Sequence, residues 1–224
     1  MKAMVGGQKA LVLDFGGVIS RTLFETHDLT ERALGLPAGS LTWRGPFDPD
    51  GDALWREMQD DRISERDYWL QRTQEVGAML GESWADMQTL VQRARGAEPE
   101  RIVRPETLAL INAAKAAGCR LAILSNELDL FYGAELRQGL ACLRQFDVIV
   151  DATYTLCLKP DPQAYSECLR QLQLPAAQCL FVDDQQRNVD GALRCGMPAL
   201  WFDVQAPAWA CAQAAAWLGL HKPA

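Results

Sequence analysis

Four short stretches of this 224-residue chain end in residues able to do chemistry. LVLD closes an apolar run with Asp14, followed by Phe15, Gly16 and Gly17. CRLAILSN ends in Ser125 and Asn126, LKPDP carries Lys159, and CLFVDD ends in Asp183 and Asp184. A carboxylate at the end of an apolar run is costly to bury unless something pairs with it. Three such carboxylates in one crevice repel one another unless a cation joins them, and Lys159 offsets part of that charge. Oxygen-only donors, in a chain whose two histidines are His27 and His221, favour Mg²⁺ over zinc. Ser125 and the backbone N–H groups of residues 15–18 and of Asn126 suit an anion, with glycine permitting close approach. Together these groups fit phosphoryl transfer, in which one aspartate attacks and a metal neutralises charge.

Such residues meet only if the elements carrying them run side by side. From about Arg101 apolar runs alternate with amphipathic stretches: CRLAILSN, FDVIVD, CLFVDD and MPALWFD are separated by helix-like segments. Pro105–Ala117 reads as a helix with proline in its first turn and Gly118 at its end. Pro162–Leu172 places Ala164, Tyr165, Cys168, Leu169 and Leu172 on one face. The alternation predicts βαβ units and a buried parallel sheet whose C-terminal strand ends converge on one crevice. The Ala-rich ACAQAAAWLGL reads as a final packing helix.

Residues from about Thr22 to Glu100 follow another pattern. Trp69, Thr73, Val76 and Leu80 recur at helical spacing, as do Trp84, Met87, Val91 and Ala94, and no strand pattern is present. GLPAGS and RGPFDPDGD break the stretch with turn residues. The expectation is an α/β fold: a Rossmann-like parallel-sheet core of residues 1–20 and 101–224, with a helical cap, 21–100, inserted between hinges near Arg21 and Arg101. Trp69 and Trp84 are assigned to the core of that cap. Asp48, Asp50 and Asp52 alternate as in a calcium loop but lack the glutamate ligand, and read as a solvated turn.

Composition narrows the partners. Hydrophobic content of 49% and charged content of 23% are those of a globular protein. A net charge of −7 without a basic stripe excludes a nucleic-acid footprint. No signal core and no run of membrane-spanning length is present, so no membrane partner is expected. Seven singly scattered cysteines without a CxxC pair imply reduced thiols in a cytoplasmic protein. A small phosphorylated molecule is the expected partner, bound by a monomer or a homodimer.

The four chemistry-bearing stretches resemble, in order and spacing, the motifs of the haloacid dehalogenase-like hydrolase superfamily, in the branch with a helical cap after the first motif. DFGGV (14–18) is similar to the first motif, SN (125–126) to the second, Lys159 with KPDP to the third, and VDDQQRNVDGALRCGM (182–197) to the fourth. The likeness covers about residues 8–20 and 101–205. It implies that Asp14 is the nucleophile and forms an aspartyl-phosphate. It implies Mg²⁺ held by Asp14, the Gly16 carbonyl and Asp184, with Asp183 as a ligand or water-bridged support. Ser125 would bond the transferring phosphoryl group, with Gly17 and Asn126 lining the anion site. Lys159 would hold nucleophile and phosphate, and Asn188 would support the fourth-motif loop.

One position departs from the pattern. Phosphatases of the superfamily usually carry a second aspartate two residues after the nucleophile, as acid and then base, and here Gly16 stands there. Its carbonyl still serves a metal, but a contribution typically worth ~10²–10⁴-fold in rate is absent. Good leaving groups would tolerate the loss, or a cap residue would replace it. Glu25 and His27 follow the first motif closely, and Arg44 could clamp a second anionic group. The expectation is a Mg²⁺-dependent phosphatase of a small metabolite. The alternatives are a catalytically weakened phosphate-binding or regulatory protein, and a hydrolytic dehalogenase, against which the paired Asp183–Asp184 counts.

Overall fold

A computed structural model of the protein describes residues 7–95 and 99–220. His221 and the first six residues of the N-terminal stretch lie outside the described residues.

The chain opens with β1 (Ala10–Leu13) and then runs through four helices without a strand: α1 (His27–Leu34), α2 (Ala53–Gln59), α3 (Glu65–Met79) and α4 (Met87–Arg95). Alternation follows. In order come α5 (Pro105–Ala116), β2 (Arg120–Ser125), α6 (Leu128–Gly139), β3 (Val148–Asp151), α7 (Ala152–Thr155), α8 (Pro162–Leu172), β4 (Cys179–Asp183), α9 (Gln186–Arg194), β5 (Ala199–Trp201) and α10 (Pro207–Leu218). The five strands form one parallel sheet in the order β3-β2-β1-β4-β5. This is the mixed α/β, Rossmann-like architecture expected from the alternation.

Strand burial explains the unbroken apolar runs. Leu11, Leu13, Leu121, Ile123, Leu180 and Val182 face one cluster, with α5 and α10. Ala10, Val12, Ala122, Leu124, Cys179 and Phe181 face the other, with α8 and α9. Both faces are covered, so the strands need no polar alternation. β1 is central, between β2 and β4. Ile123 and Val182 lie beside Leu13 in register, so Asp14 and Asp183 come out level and Ser125 one residue beyond them.

Helix limits follow their caps. α5 and α8 begin at Pro105 and Pro162, where the missing N–H is harmless. Trp84 falls outside α4, because the Asp86 carboxylate accepts the Thr89 N–H and starts the helix after itself. The Trp84 ring is nevertheless buried in the helical segment. Phe24 centres that cluster, with the Trp43, Trp55 and Trp69 rings at 5.5, 5.3 and 5.3 Å.

Asp52 corrects the reading of its loop as a solvated turn. Asp48 and Asp50 are exposed, but Asp52 is buried. Its carboxylate caps α2 at the Trp55 N–H, accepts the Gly45 N–H and the Tyr68 hydroxyl, and pairs with Arg72. The aromatic cluster needs this polar tie between α2 and α3, because its own packing has no direction.

The segment joins the sheet body through two strands of chain lying side by side. Ser20 and Val103 form an antiparallel bridge, the Arg21 N–H bonds the Ile102 carbonyl, and the Arg104 N–H bonds the Ile19 carbonyl. The Arg104 guanidinium grips the Gly17 carbonyl and Glu25 together. Glu25 is thereby committed to structure.

Replacing Asp52 by alanine uncaps α2, strips the Tyr68 hydroxyl of its acceptor and leaves Arg72 with Glu75 alone. The expected cost is about 2–4 kcal/mol, read as a lowered urea midpoint at unchanged slope. A loss under about 1 kcal/mol would contradict the role assigned to this carboxylate.

Candidate active site

Asp14 follows the last residue of β1, and its N–H bonds the Val182 carbonyl of β4. Asp183 ends β4 one strand away, and Ser125 ends β2 on the other side. The Lys159 ammonium lies between two of the carboxylates, 2.7 Å from Asp14 Oδ1 and 2.6 Å from Asp183 Oδ2. Asp14, Asp183 and Asp184 bring carboxylate oxygens within 4.8 Å of one another.

The two neighbouring aspartates of the fourth stretch are not equivalent. Asp183 is fully buried and saturated: Lys159, the Asn188 amide and the Gln185 N–H all donate to it. Asn188 is fixed in turn by the Tyr165 hydroxyl, which donates to its carbonyl. The Asp184 carboxylate accepts no hydrogen bond among the described residues and lines the cavity in front of Asp14; its backbone carbonyl takes the Trp201 indole N–H. Only this second aspartate is free to bind something else.

Glycine is required at one of the two positions after Phe15. Gly17 has φ +76°, and a Cβ there would stand 2.4 Å from Asp184 Oδ2, so only glycine lets the loop and Asp184 coexist. Gly16 has φ −68° and ψ 129°, open to any residue. A Cβ at Gly16 would meet only Asp14 Oδ2, at 3.8 Å.

Asn126 acts differently from an anion-site side chain. Its amide donates to the Lys159 carbonyl and accepts the Lys159 N–H. Both side-chain functions therefore hold the lysine loop, leaving the Asn126 backbone N–H as its possible contribution to an anion. The Ser125 hydroxyl is buried at the same edge, contacted by the Glu127 N–H at 3.4 Å.

A cavity of about 120 Å³ opens in front of these groups, between the strand ends and the helical segment. Asp14, Gly16, Gly17, Ser125, Lys159 and Asp184 line its polar end, along with Asn126 and Asn188. The far wall is mostly aromatic and aliphatic, including Phe24, Trp55, Trp69, Phe131 and Tyr132. Trp69 thus faces the cavity as well as the cluster behind it.

His27 and Arg44 do not reach it. His27 is buried with its ring 4.4 Å from Trp43, and neither ring nitrogen has a partner. Burial, with Arg44 close by, pushes its pKa down to about 4, so it is a neutral packing residue. Arg44 is exposed. His27 opens α1 and packs into the aromatic cluster, and Arg44 stands exposed in a later loop, so neither lines the cavity, contrary to the substrate-contact reading of these two residues.

Two cavity residues escape the sequence motifs. Glu65 opens α3, and Glu127 follows Asn126 and pairs with Arg66. The pattern Ser64–x–x–Asp67, a capping box, marks Glu65 as the first residue of a helix, but nothing in the sequence aims that helix at Asp14.

The charges do not balance. Three carboxylates surround one ammonium, and burial raises Asp14 to about 7, with the attraction of Lys159 outweighed once Asp183 is added. Burial and then Asp183 and Asp14 drive Asp184 well above the usual carboxylate range. Lys159 is held protonated by its two partners against the cost of burial. An unpartnered oxygen on Asp184, beside Asp14 and an excess of negative charge, fits a hard divalent cation with oxygen ligands.

The raised Asp14 binds more protons folded than unfolded between its ordinary value near 4 and about 7. It therefore costs stability progressively as pH rises through that window. With divalent cations chelated, wild-type stability should fall from pH 5 to pH 8 more steeply than that of Asp14→Asn. Parallel slopes in thermal unfolding would contradict the burial-driven shift.

A family model for haloacid dehalogenase-like hydrolases matches residues 8–196. Phosphatase MT3486 of Mycobacterium tuberculosis is 30% identical over 99 residues, which cover 44% of this chain and 46% of that one. The chain thus aligns with less than half the length of that relative. A phosphatase structure from Thermococcus onnurineus superposes with a TM-score of 0.55 at 21% identity, over 88% of this chain and 86% of the other. The L-2-haloacid dehalogenase RSc1362 superposes at 0.58 and 20% identity, over 88% and 87%. Phosphatases and dehalogenases share this fold, so the structural likeness speaks to architecture alone. The match over most of the chain places it in the haloacid dehalogenase-like hydrolase family.

Proposed function

We propose that this hydrolase is a Mg²⁺-dependent phosphatase of a small phosphorylated metabolite, with Asp14 as its nucleophile. The observation that carries the reading is Lys159 bridging Asp14 and Asp183 while Asp184 stays unpartnered beside them. A dehalogenation site would have no use for that spare carboxylate. A phosphate ester brings negative charge of its own and needs a cation there.

In this reading Lys159 holds Asp14 Oδ1 and leaves Oδ2 to attack phosphorus. The Ser125 hydroxyl and the Asn126 N–H donate to the equatorial phosphoryl oxygens. Asn188 and the Gln185 N–H keep Asp183 fixed, and through it Lys159. Asp14, Asp184 and the Gly16 carbonyl would hold the Mg²⁺, which would supply charge neutralisation for the transferring group. Residues 21–100 act as a cap moving on the paired connections at 20–21 and 102–104, admitting substrate and excluding water. The aromatic wall favours a compact, partly apolar leaving group. The reduced cysteines suit a cytoplasmic setting.

Asp14→Asn should reduce phosphate release from p-nitrophenyl phosphate with Mg²⁺ by a factor on the order of 10³ or more, as removal of a nucleophile does, with the fold intact by circular dichroism. An Asn variant that retains turnover would sink the reading.

A further inference from the structure

Gly16 leaves the site without a proton donor beside Asp14, so the leaving oxygen of an alkyl phosphate needs another. Among the described residues lining the cavity, few can lend a proton. Asp14 is the nucleophile, Asp184 faces the cation site, and Lys159 is locked between two carboxylates. The Tyr132 hydroxyl is engaged by Ser20 and by Arg95. Glu127 is held by the guanidinium of Arg66 at Oε1, and its other oxygen, though unpartnered, is buried away from the solvent with which an acid must exchange protons.

Glu65 remains. It stands at the first turn of α3 and lines the same cavity as Asp14, Asp184 and Ser125. Its carboxylate accepts no hydrogen bond among the described residues. Its ion pair with Arg187 is long, 3.7 Å, and a third of its side chain is exposed, which leaves a route to exchange protons with solvent. The space that a side chain at Gly16 would fill is open. We propose that Glu65, delivered by the helical insert, is the general acid and base of the reaction and replaces the group missing at Gly16. This rests on the phosphatase reading above.

The atoms balance. As Asp14 Oδ2 bonds phosphorus and the P–O bond to the leaving group breaks, the proton of Glu65 passes to the leaving oxygen, and a neutral alcohol departs. In the second half Glu65 takes a proton from water as the water oxygen bonds phosphorus and the Asp14–phosphorus bond breaks. Inorganic phosphate leaves and the acid form of Glu65 returns. Its surroundings suit both states. Burial, with Glu127 next and Asp183 behind, raises Glu65 to about 7, against the pull of Arg187 and Lys159, and the N-terminus of α3 favours its anion.

The test pairs two substrates of similar shape, p-nitrophenyl phosphate and benzyl phosphate, whose leaving groups differ in their need for a proton. With Mg²⁺, Glu65→Gln should lower kcat/KM for benzyl phosphate by about 10²-fold or more. The p-nitrophenol burst should persist, followed by slowed phosphate release. Gly16→Asp in the Glu65→Gln background should recover at least about tenfold of the benzyl rate, which a merely structural role for Glu65 would not allow. An unchanged benzyl rate, an equal loss of the burst, or a larger loss in Glu127→Gln than in Glu65→Gln would overturn the assignment. So would a wild-type protein that hydrolyses p-nitrophenyl phosphate but not benzyl phosphate. Wild-type protein inactive on both, or activity surviving in Asp14→Asn, would instead overturn the phosphatase reading and this assignment with it.

Discussion

A buried ammonium between two buried carboxylates is the constraint on which the rest depends. Each charge loses several kcal/mol of hydration on burial, and Lys159 recovers it only if Asp14 and Asp183 stand on either side within hydrogen-bond reach. That requires β1 and β4 to be neighbours in register, which they are. It also requires the loop bearing Lys159 to be pinned, which the Asn126 side chain does at both backbone groups of the lysine. Asn188 and the Gln185 N–H then satisfy what remains of Asp183. Asp184 is left over because Gly17, with no Cβ, makes room for it. The spare carboxylate is a by-product of the same packing, and it is what a cation would use.

The helical insert shows the same economy of polar ties in an apolar setting. Its aromatic rings pack around Phe24 with little direction, and the buried Asp52 carboxylate sets how α2 meets α3. Arg104 couples the insert to the reaction loop, since one guanidinium holds both the Gly17 carbonyl and Glu25. Arg66 to Glu127 and Arg187 to Asp61 and Glu65 cross the same gap farther out. Separating the exposed Arg187–Asp61 pair would cost little, because solvent replaces it, whereas Glu127 is buried. The grip of Arg104 on Gly17 and Glu25 is buried.

Much of this architecture is legible in the sequence. Apolar runs ending in Asp14, Ser125 and Asp183 forced a parallel sheet with converging ends, because both faces of such a sheet are buried and its crevice lies at the carboxyl ends of the strands. Helices begun by Pro105 and Pro162 were legible from the first-turn proline. The insert was harder. His27 lies near the first motif in sequence but packs into the aromatic cluster, and Arg44, in a turn-rich loop, stays exposed outside the cavity. Asp52 looked like its exposed neighbours Asp48 and Asp50, since the partners that bury it, Tyr68 and Arg72, come from another helix. Glu65 carried a visible helix-start signal, but its direction depends on how α3 is held, which no local pattern encodes.

The chemistry turns on whether a phosphoryl group is carried by Asp14. The direct measurement is to mix the protein with Mg²⁺ and p-nitrophenyl phosphate, quench during turnover, reduce with borohydride and map the product by mass spectrometry. If Asp14 carries the phosphoryl group, the product holds homoserine at position 14, the mark of a reduced aspartyl-phosphate. Phosphate release with Asp14 recovered unmodified, or with the label on another residue, would contradict it.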